Sequence, residues 1–119
     1  MLAYHVENRL TPPPLHQMRM HGKIAGQMET FFRERVLSAY AREVIYAETE
    51  EQFRLRLDDE TPVGMWRGEF WGKWVISACR VCQYEKDESL KEFLRQAALR
   101  LIATADPNGY IGTYRDPLY

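Results

Sequence analysis

The chain has 119 residues, with 16 Lys and Arg against 17 Asp and Glu, for a formal net charge of -1. That balance gives no electrostatic case for nucleic acid or an anionic membrane as its main partner. Hydrophobic residues are 45% and charged residues 28%, which excludes global disorder and leaves enough apolar mass for a core.

No apolar run approaches the ~20 residues of a membrane span. The opening residues, Met1 to Glu7, lack a basic region and a long apolar stretch, so no secretory signal is expected. Two cysteines are too few for a disulfide scaffold. The simplest placement is a soluble cytoplasmic protein. Aromatic residues reach 13%, which fits either core packing or a surface on which a ligand stacks.

Residues 1–21 read as an irregular arm. Thr11-Pro12-Pro13-Pro14 favours an extended chain. His5, His16 and His21 lie in or beside this arm, at spacings that match no zinc motif, and read as surface or packing residues. Residues 22–119 read as helical. Ile24, Met28, Phe31 and Phe32, then Leu37, Tyr40, Ala41, Val44 and Ile45, recur at three and four. Ser38 is placed to cap a second helix, so 22–57 is one bent helix or two short ones. Glu48, Glu50, Glu51, Asp58, Asp59 and Glu60, partly offset by Arg54 and Arg56, read as a solvated face.

Thr61-Pro62-Val63-Gly64 is a break. The next helix is predicted from about Arg67 to Tyr84. Its apolar set, Phe70, Trp71, Trp74, Val75, Ala78, Val81 and Cys82, wraps most of the circumference and predicts a largely buried helix. Glu69, Lys73 and Arg80 form its charged stripe. Asp87 is a good N-cap for the following helix. There Leu90, Phe93, Leu94, Ala97, Ala98, Leu101 and Ile102 keep three-four spacing, and Asp106-Pro107-Asn108-Gly109 marks the turn that ends it. Two such helices joined at Lys86-Asp87 make an αα-hairpin.

Chemistry-bearing residues are few. Cys79 and Cys82 form a C-x-x-C, but zinc needs two more ligands, and the pair reads as small apolar fillers. Glu69, among Trp66, Phe70 and Trp71, is either a desolvated general acid or a surface partner of Lys73. Asp106 starts a turn or serves acid–base chemistry. Gly109 and Gly112 let the Tyr110–Tyr114 loop approach a ligand closely, or simply make a surface turn. No phosphate-binding Gly loop, Ser-His-Asp set or H-E-x-x-H occurs.

Two segments together carry a family resemblance. Trp66-Arg-Gly-Glu-Phe-Trp-Gly-Lys-Trp74 opens one helix, and Leu101-Ile-Ala-Thr-Ala-Asp-Pro-Asn-Gly-Tyr-Ile-Gly-Thr-Tyr114 closes the next. The pattern resembles the N-terminal part of the β-L-arabinofuranosidase-type glycoside hydrolases (glycoside hydrolase family 127). Members show W-x-G, then G-[KH]-[WY] opening a helix, then a second helix ending in LLATQDPDGYIGTY. The match covers 61–115 well and 22–60 more loosely. Ala105 stands where the family usually has Gln, Asn108 where it often has Asp, and Lys73 where many relatives have His.

The resemblance implies an all-α chain forming the first helical hairpins of an (α/α)6 barrel, incomplete as a single chain. Twelve helices need at least about 200 residues. It implies a carbohydrate substrate for the whole enzyme, of the plant-type arabinose-containing glycans. The family's nucleophilic cysteine, acid/base glutamate and glutamate–cysteine zinc site lie far downstream of the matched motifs. Hence no catalytic residue, metal ligand or cofactor is expected in this chain, and Cys79 and Cys82 are not those ligands. Trp66, Glu69, Trp71, Lys73, Gly109 and Tyr110 are placed by the resemblance near the sugar-binding end.

Three functional readings follow. One is a hydrolase fragment or truncated product, inactive alone. The second is a standalone helical sugar-binding or interaction module, expected to self-associate through exposed helices. The third is another six-hairpin enzyme, since fold does not fix chemistry.

Overall fold

The structure, a computed structural model, describes residues 10–56 and 67–115 and is all-helical in character. Residues 10–21 run irregularly apart from one tight turn at Leu15–Gln17. The arm lies against the second half of the chain. Arg19 stacks over the Tyr84 ring at 4.6 Å, and its guanidinium donates to the Tyr84 carbonyl at 3.4 Å.

Helix α1 spans Gly22–Phe32 and widens into a π-helical turn over Arg33–Leu37. Ser38 ends it with extended backbone, ψ 151. The Ser38 hydroxyl accepts the Ala41 N–H at 3.0 Å and donates to the Glu34 carbonyl at 2.8 Å. One side chain thus closes one helix and starts the next, so the 22–57 stretch is two helices and not one bent rod. The second begins with a π-helical segment, Ala41–Tyr46, and continues as α2, Ala47–Leu55. It stops where Arg56 turns left-handed, at φ 41. The Thr61–Gly64 break lies outside the described residues.

Helix α3 spans Arg67–Glu85 and α4 spans Glu88–Ile102. Lys86 adopts a positive φ of 56 between them. The Asp87 carboxylate then accepts the Leu90 N–H at 2.8 Å, a cap worth about 1 kcal/mol. The two helices form the hairpin that their periodicity predicts.

The core lies between this hairpin and the π-helical segments. Val36, Tyr46, Trp74, Ala78, Val81, Leu90 and Ala97 are buried together. Tyr46 is its hub, with ring centroids 5.0 Å from Trp74 and 5.1 Å from Phe93. The Trp74 indole N–H donates to the Arg35 carbonyl at 2.9 Å, which satisfies its polar edge inside an apolar cluster. Phe32, Tyr46, Trp71, Trp74 and Phe93 are therefore core-packing aromatics, whereas Phe31, Tyr40 and Phe70 are exposed.

One expectation needs correction. Helix α3 is not largely buried: Phe70 is 55% exposed and Ile76 66% exposed. The helices that touch α3 cover one side of it, and its ring of apolar residues is wider than that cover. On α4, Ala98 and Ile102 likewise face outward. The arrangement is a flat slab of 49 × 47 × 27 Å, about two helix layers thick. Its radius of gyration is 18.0 Å, against about 13–14 Å for a compact domain of this length.

Candidate functional site

An antiparallel hairpin places the start of α3 and the end of α4 at the same end. Of the two segments that carry the resemblance, residues 67–74 and 101–114 therefore meet there. The contact is direct. A Cβ on Gly68 would stand 3.8 Å from the Thr113 methyl group and 3.4 Å from the Phe53 ring. Thr113 is itself buried.

The loop between Ile102 and Thr113 is held by its own backbone. Asp106 donates its N–H to the Tyr110 carbonyl at 3.0 Å, and Gly109 donates to the Asp106 carbonyl at 2.8 Å. The Asn108 side chain accepts the Tyr110 N–H at 3.0 Å. Gly109 sits at φ 87, where a side chain would strain the backbone. A Cβ at Gly112 would collide with the Tyr110 ring. Gly109 is thus required by the backbone of the turn, and Gly112 makes room for the Tyr110 side chain.

Arg56 ties α2 to this loop. Only 15% of its side chain is exposed. It donates to the Asp106 carboxylate and to the Thr104 carbonyl. Its guanidinium lies 5.4 Å from the Tyr110 ring centroid. The cluster borders a charged groove of about 560 Å³ that includes Arg100 and Glu50. There Arg100 donates to Glu50 at 2.7 Å, and Tyr46 donates its hydroxyl to the same carboxylate.

On the other side of α3 lies an apolar groove of about 400 Å³. Phe31 and Phe70 form its walls, with Val36, Ile45 and Trp74 beneath and Lys73 at the rim. Glu69 pairs with Lys73 one turn on. Glu69 is half-exposed, so the surface-pair reading is the one the geometry supports, not a desolvated acid.

The sequence-predicted site residues are therefore divided. Glu69 and Lys73 belong to the apolar-groove side. Trp71 turns inward, 6.0 Å from Phe53 and 6.4 Å from Tyr46, with its indole N–H buried and unpaired. Gly109 and Tyr110 belong to the Arg56 side. Trp66 lies outside the described residues. Asp106 is both the turn starter and the partner of Arg56.

Cys79 is exposed, which corrects its reading as an apolar filler. Cys82 is half-buried and donates its thiol to the Asp87 carbonyl at 3.5 Å. Burial, then the Asp87 charge, pushes the Cys82 thiol above its ordinary value. Among the described residues no three His, Cys, Asp or Glu side chains gather into a metal-holding group.

Arg56 and Phe31 were invisible as site residues in the sequence. Arg56 stands 50 positions from Asp106, and no local spacing signals such a tie. No helix of the described residues is long and apolar enough to cross a membrane. The chain matches no protein-family model, no curated protein and no solved structure.

Proposed function

We propose that the chain supplies the first helical hairpins of an (α/α)6-barrel glycoside hydrolase of β-L-arabinofuranosidase type, working in the cytoplasm on arabinose-containing glycans. One observation supports this above the others. The two segments that resemble the family, about 30 residues apart along the chain, pack as one end of one hairpin through Gly68, Phe53 and Thr113. In that reading the end is a wall of the sugar site. Glu69, Lys73 and Tyr110 serve as substrate-side groups, and Arg56 positions the Tyr110 loop. As the resemblance implies, the nucleophile and the acid/base group come from downstream of the matched motifs, while Glu69 and Asp106 are ion-paired with Lys73 and Arg56.

The test is to read the coding locus beyond Tyr119. The expected result is an open frame encoding further paired helices, a glutamate and clustered cysteines. A stop codon directly after Tyr119 would overturn the proposal. Turnover of an aryl β-L-arabinofuranoside by the purified chain alone would overturn the assignment of catalysis to other residues.

A second reading, a standalone helical module, is favoured by the Tyr46–Trp74–Phe93 cluster. It closes a core using only residues of this chain.

A further inference from the structure

The apolar groove between α1, α2 and α3 is uncovered, and its chemistry is specific enough to name an occupant. Phe31, 44% exposed, and Phe70, 55% exposed, both line it. Ile24 extends the same face of α1 seven residues earlier and is also exposed. The rim carries Arg35 and Glu48, both exposed. Among the described residues neither makes an ion pair, whereas Lys73 already holds Glu69.

We propose that this groove is a self-association surface that closes on the same groove of a second copy of the chain, with Arg35 of each copy meeting Glu48 of the other.

Charge decides the occupant. A two-fold interface places residue i against j and j against i. One unpaired cation and one unpaired anion on the same rim satisfy that rule without any further group. A nucleic acid or an acidic peptide would press negative charge on Glu48, and a basic peptide would press positive charge on Arg35. A second copy carries the same apolar centre and both rim charges, so it answers all three features at once.

Area sets the strength. Two half-exposed phenylalanines and an isoleucine offer roughly 300 Å² of apolar surface per copy. Doubled and joined by the rim, the interface falls near the ~1,000–1,200 Å² lower bound of specific complexes. The dimer is therefore of the weak, concentration-dependent kind. The proposal goes with the standalone-module reading and not with the hydrolase reading, because a second copy seated over Lys73 would cover a group that the hydrolase reading gives to substrate.

Sedimentation velocity over a concentration series tests it on the chain as it exists. The expected result is a reversible monomer–dimer equilibrium. Arg35→Glu and Glu48→Arg each weaken it at least about fivefold, because each sets like charges face to face. The double reversal, R35E with E48R, restores it to within about twofold. Phe70→Ser, at an exposed position, weakens it tenfold or more, with far-UV circular dichroism confirming unchanged helicity. A monomer at every concentration overturns the proposal. So does association that the single reversals leave untouched, or a double reversal as weak as the singles.

Discussion

Cys79 and Cys82 stand three residues apart on one helix, yet their surroundings differ. Cys79 meets solvent, while Cys82 is half-buried with its thiol pushed up by burial and by Asp87. The thiolate is the reactive species, so Cys79 is expected to be alkylated first. Brief iodoacetamide treatment near pH 8 followed by peptide mass spectrometry reads the order. Equal labelling, or Cys82 first, would contradict the placement. Glu92 makes a second residue-scale case. Hydrogen bonds from Arg95 and then Gln96 hold its carboxyl down at about 2, against an ordinary 4.5. A carboxyl depressed in the folded state stabilises above its unfolded value, and that contribution is lost as pH falls through the folded one. Helicity of α4 is therefore expected to weaken between about pH 4.5 and 2. The effect is small, because the pair is exposed. Glu92→Gln should flatten that part of an acid titration, and about 1 M salt should shrink it. An unchanged acid limb in the variant would contradict the assignment.

Elements were legible where a local rule governs them. The three-four spacing of 90–102, the Asp87 cap and the Ser38 cap are all decided within a few residues, and all three are in the structure. The burial of α3 was not legible. Its apolar residues surround the helix, but which of them are covered depends on how many neighbours pack on it. The Arg56–loop tie was not legible either, since it joins segments whose pairing only the fold decides. That tie has a consequence that can be measured. Arg56 combines a positive φ with two part-buried polar contacts. Arg56→Ala removes the contacts and keeps the strain, and is expected to cost about 2–3 kcal/mol. Arg56→Gly removes both, and is expected to cost about 1 kcal/mol less. Urea unfolding of the two variants gives the comparison. A glycine variant no more stable than the alanine variant would contradict the left-handed backbone at this position.

At the scale of the whole molecule, hairpin topology does most to join sequence to site. Residues 67–74 and 101–114 share an end because two antiparallel helices separate them and the Lys86-Asp87 turn reverses the chain. Part of the candidate site follows from that alone: Glu69 and Lys73 on one flank, Gly109 and Tyr110 on the other. The flanks themselves could not be read from the sequence, because helical phase and neighbouring α1 and α2 decide which groove each side chain borders. The flat slab leaves apolar faces of α1 and α3 uncovered, which the barrel reading gives to further helices and the self-association proposal to a second copy. Cross-linking across the shared end tests the account most directly. In a Cys79→Ser, Cys82→Ser background, Gly68→Cys with Thr113→Cys should form a disulfide under mild oxidation, since a Cβ at position 68 would stand 3.8 Å from the Thr113 methyl carbon. Rapid, near-complete intramolecular closure, read by mass and by a rise in thermal stability, is the expected result. Failure to close in a folded, helical chain would show that the two segments do not meet, and the proposed sugar-site wall would fall with them.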